Sequence, residues 1–112
     1  MVEVERRTRE TEVKAALQLD GGEVDVETGI PFLNHLVETL AKYAGIGLKL
    51  AAKQLKRADD HHVAEDTALT LGEALRRALS ERGAVRRFGY AIVPMDDSLA
   101  LAAVDVGGRP YT

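Results

Sequence analysis

The chain has 112 residues, of which 46% are hydrophobic and 29% are charged, so it is long enough for one globular domain with a modest core. A net charge of −3 without a basic run disfavours nucleic acid as a partner, and the absence of cysteine excludes disulfides and favours a reducing, cytoplasmic compartment. The charged, alternating start is unlike a signal peptide, and no apolar run is long enough for a membrane helix, so we expect no membrane contact.

The first elements predicted along the chain are two strands. Residues 2–19 alternate between apolar and polar side chains and predict one strand. The Asp-Gly-Gly sequence at 20–22 is a turn signal, and residues 23–27 alternate again. We therefore predict that residues 23–27 form a second strand, paired with the first as a hairpin.

Two helices with a strand between them follow. Pro31 suits the first position of a helix, apolar residues recur at helical spacing after it, and Gly45 is a suitable stop. Residues 46–53 alternate and predict a strand. The second helix is predicted from about Asp60 to Arg82, ending at a glycine, with an apolar stripe formed by Ala64, Ala68, Leu71, Leu75 and Ala78.

The last predicted elements are strands at 88–93 and 98–104, joined by a turn. The second of them is apolar on both faces, which is typical of a central strand. The order ββαβα followed by ββ predicts an α+β fold, a two-layer sandwich with both helices on one face of a mixed sheet. We predict a first ββαβα half-domain at residues 1–85 and the opening β-hairpin of a second, truncated half-domain at residues 86–112.

The start of the second helix carries two of the three histidines in the chain. His61 and Glu65 lie four residues apart, on one helix face that continues the predicted stripe, and His62 and Asp66 have the same spacing on the neighbouring face. An acidic helix cap explains the carboxylates but not the adjacent histidines, because the positive end of a helix disfavours a protonated histidine. Neutral imidazoles and carboxylates suit divalent ions of the manganese kind, so the turn favours two metals, one on each face.

The third histidine, His35, flanks the apolar stripe of the first helix. Alone it would be interpreted as a partly buried helix histidine, but beside a His-His turn it is better interpreted as a ligand. The predicted metal ligands are thus His35, His61, His62 and Glu65. Each ion of this kind is coordinated by about six ligands, so we expect that other subunits contribute ligands or that the sites are incomplete.

Four stretches of the chain, in order, resemble the imidazoleglycerol-phosphate dehydratase family: "RRTRETEVKAALQLDG", "TGIPFLNHL", "DDHHVAEDTALTLGEAL" and "RRFGYAIVPMDDSLALAAVDVGGRPY". The resemblance implies a manganese-dependent hydro-lyase of histidine biosynthesis. Its substrate would be a small phosphorylated imidazole, imidazole glycerol phosphate, which is dehydrated to imidazole acetol phosphate with two Mn²⁺ ions in each complete site. It also implies a fold like that of ribosomal protein S5 domain 2 and a homo-oligomer, in which trimers assemble into a cage of twenty-four subunits.

The resemblance also assigns the metal ligands and the acid–base groups. His61 and Glu65 would share one metal, and His62 and His35 would serve the other. Glu10 matches an acid that contacts the substrate and is a candidate for proton transfer, with Glu65 as the second catalytic candidate.

Further residues are assigned to the substrate and to the support of the ligands. Arg87 and Arg109 match residues that contact the phosphorylated substrate, as His35 also would, because the fork of arginine suits phosphate oxygens. Without the resemblance, each arginine would be interpreted as a solvated surface charge. Asp66 is expected to orient His62 without binding the metal itself.

The chain also departs from the family pattern. Asn34 stands where the family usually has aspartate, Tyr43 stands where it often has histidine, and the second His-His-x-x-Glu motif of the family is missing. We therefore expect negligible dehydratase activity from the 112 residues alone. Two alternatives are a non-catalytic metal-binding or assembly half-unit, and a homo-oligomer of half-units that restores complete sites with two copies of the same motif.

Overall fold

A computed structural model of the chain describes residues 1–56 and 59–109, which form two compact units. Met1–Arg82 is the first unit and Gly83–Thr112 the second. Along the chain the elements are β1 (Val2–Arg7), β2 (Thr11–Gln18), β3 (Gly21–Glu27), α1 (Pro31–Ala44), β4 (Ile46–Gln54), α2 (Asp60–Arg82), β5 (Phe88–Met95) and β6 (Ser98–Asp105).

The single strand predicted at residues 2–19 is wrong, because β1 and β2 are separate strands that pair antiparallel. A side chain builds the turn between them: Thr8 Oγ1 accepts hydrogen bonds from the amides of Glu10 and Thr11, at 3.1 Å each. The sequence carries no Gly, Pro, Asn or Asp at this point, so it lacks the usual signal of a turn. The extra strand places Glu10 at a turn instead of within a sheet.

The hairpin predicted between the strand at residues 2–19 and the strand at residues 23–27 is also wrong, because β2 and β3 are not neighbours in the sheet. The strand order is β1-β2-β4-β3, with β4 antiparallel to β2 and parallel to β3. Gly21 and Gly22 have φ values of 90° and 138°, which only glycine adopts easily, and they turn the chain so that β4 fits between its neighbours. The connection from β3 through α1 to β4 is then a βαβ crossover, the usual way to join parallel strands.

One face of the four-stranded sheet carries both helices, as the predicted α+β two-layer architecture requires. The register places Val13, Ala15 and Leu17 of β2 opposite Ala52, Leu50 and Leu48 of β4. Both helices pack on this side, and α1 contributes Val37 and Ala41 to the core. The remaining buried apolar residues of the core are Val2, Val4, Val26, Ile46, Val63, Leu71, Ala74 and Ala78.

The limits of both helices agree with the prediction. The first begins at Pro31 and ends before Gly45, whose φ of 68° is the left-handed conformation of a helix C-cap. The second spans Asp60–Arg82. No helix in the described ranges is long and apolar enough to cross a membrane.

The predicted stripe of α2 agrees with the buried face in part: Leu71 and Ala78 are buried, and Leu75 packs against the core. Ala68 is exposed and Ala64 is only half-buried. The buried residues are Val63, Asp66, Thr67, Thr70, Leu71, Ala74 and Ala78. Three of them are polar, so a search for apolar periodicity missed them and chose Ala64 and Ala68 in the first half of the helix. On the buried face Asp66 points into the first unit, and His61 lies on the solvent side.

The second unit contains the antiparallel hairpin β5–β6, which turns at Asp96 with a φ of 53°. β5 is longer than predicted because it includes Pro94 and Met95. Every residue of both strands is exposed within the described chain, including apolar residues on both faces. The assignment of this hairpin to the start of a second half-domain remains a prediction.

Candidate metal and substrate site

The histidine turn begins α2 and is capped by the residue that precedes it. Asp59 Oδ1 accepts a hydrogen bond from the His61 amide at 3.1 Å, which satisfies one of the free amides at the helix start. The same oxygen lies 3.3 Å from His62 Nδ1. Asp59 therefore fixes both the backbone of the turn and one ring nitrogen of His62.

His62 is held on its other side by Glu10. The Nε2 atom of His62 lies 3.0 Å from Glu10 Oε2, and both side chains are about 40% exposed. The hydrogen bond with Asp59 raises the pKa of His62, with help from the charges of Glu10 and Glu65 and against the effect of partial burial. The same hydrogen bond lowers the pKa of Asp59.

His61 forms a separate pair with Glu65. Its Nε2 lies 3.1 Å from Glu65 Oε2, one helical turn along α2, and both side chains are largely exposed. The His61 and His62 rings meet edge to face, with centroids 5.6 Å apart and planes at 90°. The two imidazoles thus face different carboxylates, as two adjacent but distinct donor pairs.

The expected hydrogen bond from Asp66 to His62 is not what the structure shows. Asp66 Oδ2 accepts a short hydrogen bond from Thr11 Oγ1, and Asp66 Oδ1 accepts one from Arg6 Nε at 3.2 Å. These two donors, Thr11 first, lower the pKa of Asp66. Asp66 therefore acts on the β1–β2 turn that carries Glu10.

His35 and its neighbour Asn34 lie in the first turns of α1. His35 is exposed and has no hydrogen bond or ion pair with any residue in the described ranges. Asn34 Oδ1 accepts a hydrogen bond from the Thr28 amide at 2.8 Å, and its Nδ2 lies 3.4 Å from Glu27 Oε1. Asn34 thus supports the loop before α1. An aspartate oxygen could also accept the hydrogen bond from Thr28, but it could not donate one to Glu27.

Tyr43, the second departure from the family pattern, lies near the end of α1. Its side chain is 88% exposed. It is not part of either donor pair.

The two arginines assigned to the substrate belong to the second unit. Arg87 Nε and Nη2 donate hydrogen bonds to the Asp105 carboxylate, at 2.7 and 3.1 Å. The Arg87 guanidinium also lies 5.2 Å from the centre of the Phe88 ring. Arg109 is exposed and makes no hydrogen bond or ion pair within the part of the chain that is described. Arg87 is therefore already occupied by a carboxylate, and Arg109 is available.

The donor types suit manganese, but their number does not complete a site. Imidazole nitrogen and carboxylate oxygen are suitable ligands for borderline and hard divalent ions. Among the described residues, no group of three or more His, Asp and Glu is arranged to hold an ion. The structure thus offers two donor pairs, His61 with Glu65 and His62 with Glu10, and a complete metal site would need further ligands.

Sequence reasoning identified the histidines, Glu65 and Glu10 but missed the role of Asp59 at His62. Asp59 lies three residues before His62, so a carboxylate that caps the helix there can also reach the His62 ring. The link from Asp66 to Arg6 and Thr11 had no local signal, because Thr11 and Asp66 are 55 residues apart in the chain.

The comparisons with known proteins agree on one family. The sequence model described as imidazoleglycerol-phosphate dehydratase matches residues 28–112. A protein of that name from Pyrobaculum arsenaticum is 61% identical over 107 residues, covering 95% of this chain and 57% of the relative. Another from Caldivirga maquilingensis is 56% identical, covering 96% of this chain and 56% of the relative.

Solved structures of the same name share the fold. The imidazoleglycerol-phosphate dehydratase from Staphylococcus aureus matches with a TM-score of 0.81 at 29% identity, over 97% of this chain and 59% of that one. The enzyme from Pyrococcus furiosus matches with a TM-score of 0.77 at 35% identity, over 96% and 57%. This chain spans about half the length of the curated relatives it matches. The family model and the relatives together show that the chain belongs to the imidazoleglycerol-phosphate dehydratase family.

Proposed function

We propose that this chain supplies part of the active site of a manganese-dependent imidazoleglycerol-phosphate dehydratase, a cytoplasmic enzyme of histidine biosynthesis. The observation that carries the proposal is the start of α2, where two adjacent imidazoles each face their own carboxylate at 3.0–3.1 Å. Family membership supplies the reaction, and these donor pairs supply residues suited to it.

Two ions would be held by different sets of side chains. His61 and Glu65 would bind one, and His62 and His35 the other. When bound, manganese would supply a Lewis acid for the nitrogens of the substrate's imidazole ring. Because His62 Nε2 is in contact with Glu10, a ligand role for that nitrogen requires the carboxylate to move aside or to share the ion.

The dehydration needs groups that move protons. The hydroxyl on the carbon attached to the ring leaves as water, the neighbouring carbon loses its hydrogen as a proton, and the resulting enol becomes the ketone. The position of Glu10, half-exposed beside His62, supports this role, because Oε2 could there exchange a proton with a bound substrate. Glu65, beside His61, is the second carboxylate available.

The substrate phosphate requires cations, and the second unit offers two. Arg109 is unpaired in the described chain and can receive phosphate oxygens directly. Arg87 is held by Asp105, so it would bind phosphate only by sharing its donors or by leaving that carboxylate. Arg109 is therefore the stronger candidate for the first contact.

A second candidate function is a metal-binding half-unit without turnover. It is favoured for these 112 residues alone by the donor count, since the described residues provide pairs of ligands and no group of three. A homo-oligomer, including the trimers and the twenty-four-subunit cage of the family, would bring further ligands to each ion.

The experiment is an activity assay with complementation. The chain, alone or mixed with the separately purified C-terminal part of the Pyrobaculum arsenaticum relative, is incubated with imidazole glycerol phosphate and excess Mn²⁺, and the keto product is measured. We expect negligible turnover from the chain alone, because an incomplete site loses the positioning that contributes orders of magnitude to rate. We expect turnover from the mixture.

A Glu10→Gln variant in the mixture is the matched control for chemistry, because it keeps the shape of the side chain and removes its acid–base function. Full turnover by the unmixed chain would contradict the proposal of a partial site and favour a homo-oligomer of half-units. No turnover in any mixture, together with no Mn²⁺ binding by the chain, would refute the proposed function.

A further inference from the structure

A cluster of three side chains beside the candidate site has no role in metal or substrate binding as described above. Asp66 of α2 is 10% exposed at its side chain and accepts hydrogen bonds from Thr11 Oγ1 and Arg6 Nε. Thr11 is completely buried. A buried carboxylate needs such partners, because an unpaired charge in the interior is costly. The cluster joins β1 and β2 to α2.

The cluster holds the turn that carries Glu10. The Glu10 amide donates to Thr8 Oγ1 at 3.1 Å, and its carbonyl accepts from the Leu55 amide at 2.7 Å. The next residue, Thr11, is bound to Asp66. Both backbone polar groups of Glu10 are therefore paired, and its neighbour is attached to α2.

The two contacts between this turn and α2 are stacked along the helix. Glu10 meets His62, and Thr11 meets Asp66. Residues four apart on a helix, such as His62 and Asp66, are neighbours on its surface. The adjacent residues Glu10 and Thr11 therefore contact neighbouring positions on one face of α2. A displacement of Thr11 from Asp66 would also move Glu10 along or away from His62.

We infer that the Arg6–Asp66–Thr11 cluster is a positioning device that holds the Glu10 carboxylate against His62. The inference rests on the proposed function for its importance in catalysis, because Glu10 is a catalytic candidate only there. The geometry itself is independent of any metal. Asp66 thus acts on Glu10 through the β1–β2 turn and does not contact the His62 ring.

The test uses the complete 112-residue chain without metal and measures the ¹⁵N chemical shifts of the His62 ring nitrogens. A Glu10→Ala variant defines the shift of an imidazole without its Glu10 partner. We expect Thr11→Val, which keeps the size of the side chain but removes the hydroxyl, to move the His62 Nε2 shift most of the way to that value. Thr11→Ser restores the hydroxyl and should keep the parent shift.

The matched control is Thr67→Val on α2. Thr67 is nearly as buried as Thr11, at 1% exposure, but its Oγ1 has no hydrogen-bond partner among the described residues, so the same substitution removes no hydrogen bond that the structure describes. It should leave the His62 shifts at the parent values. A cluster that only stabilised the fold would lower the unfolding midpoint in Thr11→Val without changing the ring shifts of the folded protein.

Arg6→Gln is a second variant in case Thr11→Val does not fold, because Arg6 is half-exposed and its loss leaves the Thr11 bond intact. We expect a smaller His62 shift in the same direction. Parent-like His62 shifts in folded Thr11→Val, or in Arg6→Gln if the first variant is unfolded, would overturn the inference. A failure of Mn²⁺ binding would count against the proposed function alone, because these spectra contain no metal.

Discussion

His62 is held between two carboxylates from different parts of the chain. Asp59 contacts Nδ1 from the helix cap, and Glu10 contacts Nε2 from the β1–β2 turn. Both anions favour the protonated ring, which is why the pKa of His62 is raised. In the proposed enzyme, a bound metal ion would take the place of a proton on one ring nitrogen.

The first prediction concerns the metal. A His61→Ala, His62→Ala double variant should lose Mn²⁺ binding, because one proposed site loses its only nitrogen ligand and the other keeps only His35. Isothermal titration calorimetry with Mn²⁺, supported by metal analysis after dialysis, measures this directly. An Arg76→Ala, Arg77→Ala double variant on the same helix should bind as the parent does. Full manganese stoichiometry in the histidine variant would show that the ligand assignment is wrong.

The second prediction concerns acid stability. The pKa of Asp66 is lowered in the folded chain, by Thr11 first and Arg6 second, below the value of about 3.9 for an unfolded aspartate. Its contribution to the free energy of unfolding is therefore fully present above that pH and lost as the pH falls through the folded pKa. Asp66→Asn should destabilise the chain at neutral pH. Its deficit should shrink as the pH falls below about 4, because the unfolded parent then takes up a proton at Asp66, and it should be smallest below the lower pKa of folded Asp66.

Urea unfolding of both proteins across the pH range from neutral to acid tests this sign. A Glu73→Gln variant is the comparison. Arg76 and Arg77 lower the pKa of Glu73 to about 2, but both arginines are exposed and Glu73 is about one-third exposed, so solvent screens their interaction. We expect Glu73→Gln to change stability little at any pH. A constant difference between Asp66→Asn and the parent down to strong acid would contradict the assignment.

At the scale of elements, the arrangement depends on the insertion of β4 between β2 and β3. Gly47 lies where these strands converge: a Cβ on it would come within 2.8 Å of the Gly21 carbonyl oxygen and 3.0 Å of Gly22 Cα. Both are backbone atoms, which cannot rotate away. The close approach explains why glycines occur on both strands at this junction.

The third prediction follows from that contact. Gly47→Ala should destabilise the chain by about 1–3 kcal/mol, the usual cost of overpacking a close contact. Gly72→Ala is the matched control, because a Cβ there meets nothing within 4 Å and alanine favours a helix interior by about 1 kcal/mol. Chemical denaturation should therefore shift in opposite directions for the two variants. An unchanged midpoint in Gly47→Ala would mean that the strands can separate at no cost.

At the scale of the whole molecule, apolar surface is exposed in both units. The outer side of α1 carries Phe32, Leu36, Leu40 and Tyr43 at helical spacing, between 50% and 88% exposed. In the second unit both faces of the β5–β6 hairpin are exposed. Monomeric proteins seldom leave so much contiguous apolar surface in water, and a two-stranded hairpin is at best marginally stable alone. These surfaces support the proposal that the chain functions in an assembly.

The fourth prediction links that assembly to metal. If ligands from different subunits complete each ion's coordination, the oligomer should be larger with Mn²⁺ than after chelation, because ions that bind only the assembled form stabilise it. Size-exclusion chromatography with light scattering, with Mn²⁺ and then with excess chelator, measures the change. The His61→Ala, His62→Ala variant should not respond to metal. The same mass before and after complete removal of the metal would contradict shared sites in this chain.

Much of this protein follows from local sequence. Pro31 and Gly45 set the limits of α1, because a fixed φ at the start and a left-handed residue at the end act on the backbone next to them. The four-residue spacing of His61 and Glu65 predicted a pair that the structure shows at 3.1 Å, since helix geometry alone determines it. The family was also recognisable, because its motifs lie in order along the chain.

Tertiary structure decided what local patterns leave open. Alternation identifies a strand but not its partner, so the insertion of β4 beside β2 depended on the burial of the whole sheet. In the first half of α2, apolar spacing chose Ala64 and Ala68 instead of the buried residues, because a search for apolar residues passes over buried Thr67 and Thr70. The contact of Glu10 with His62, and of Thr11 with Asp66, joins residues more than fifty positions apart, and only the packing of the β1–β2 turn against α2 brings them together.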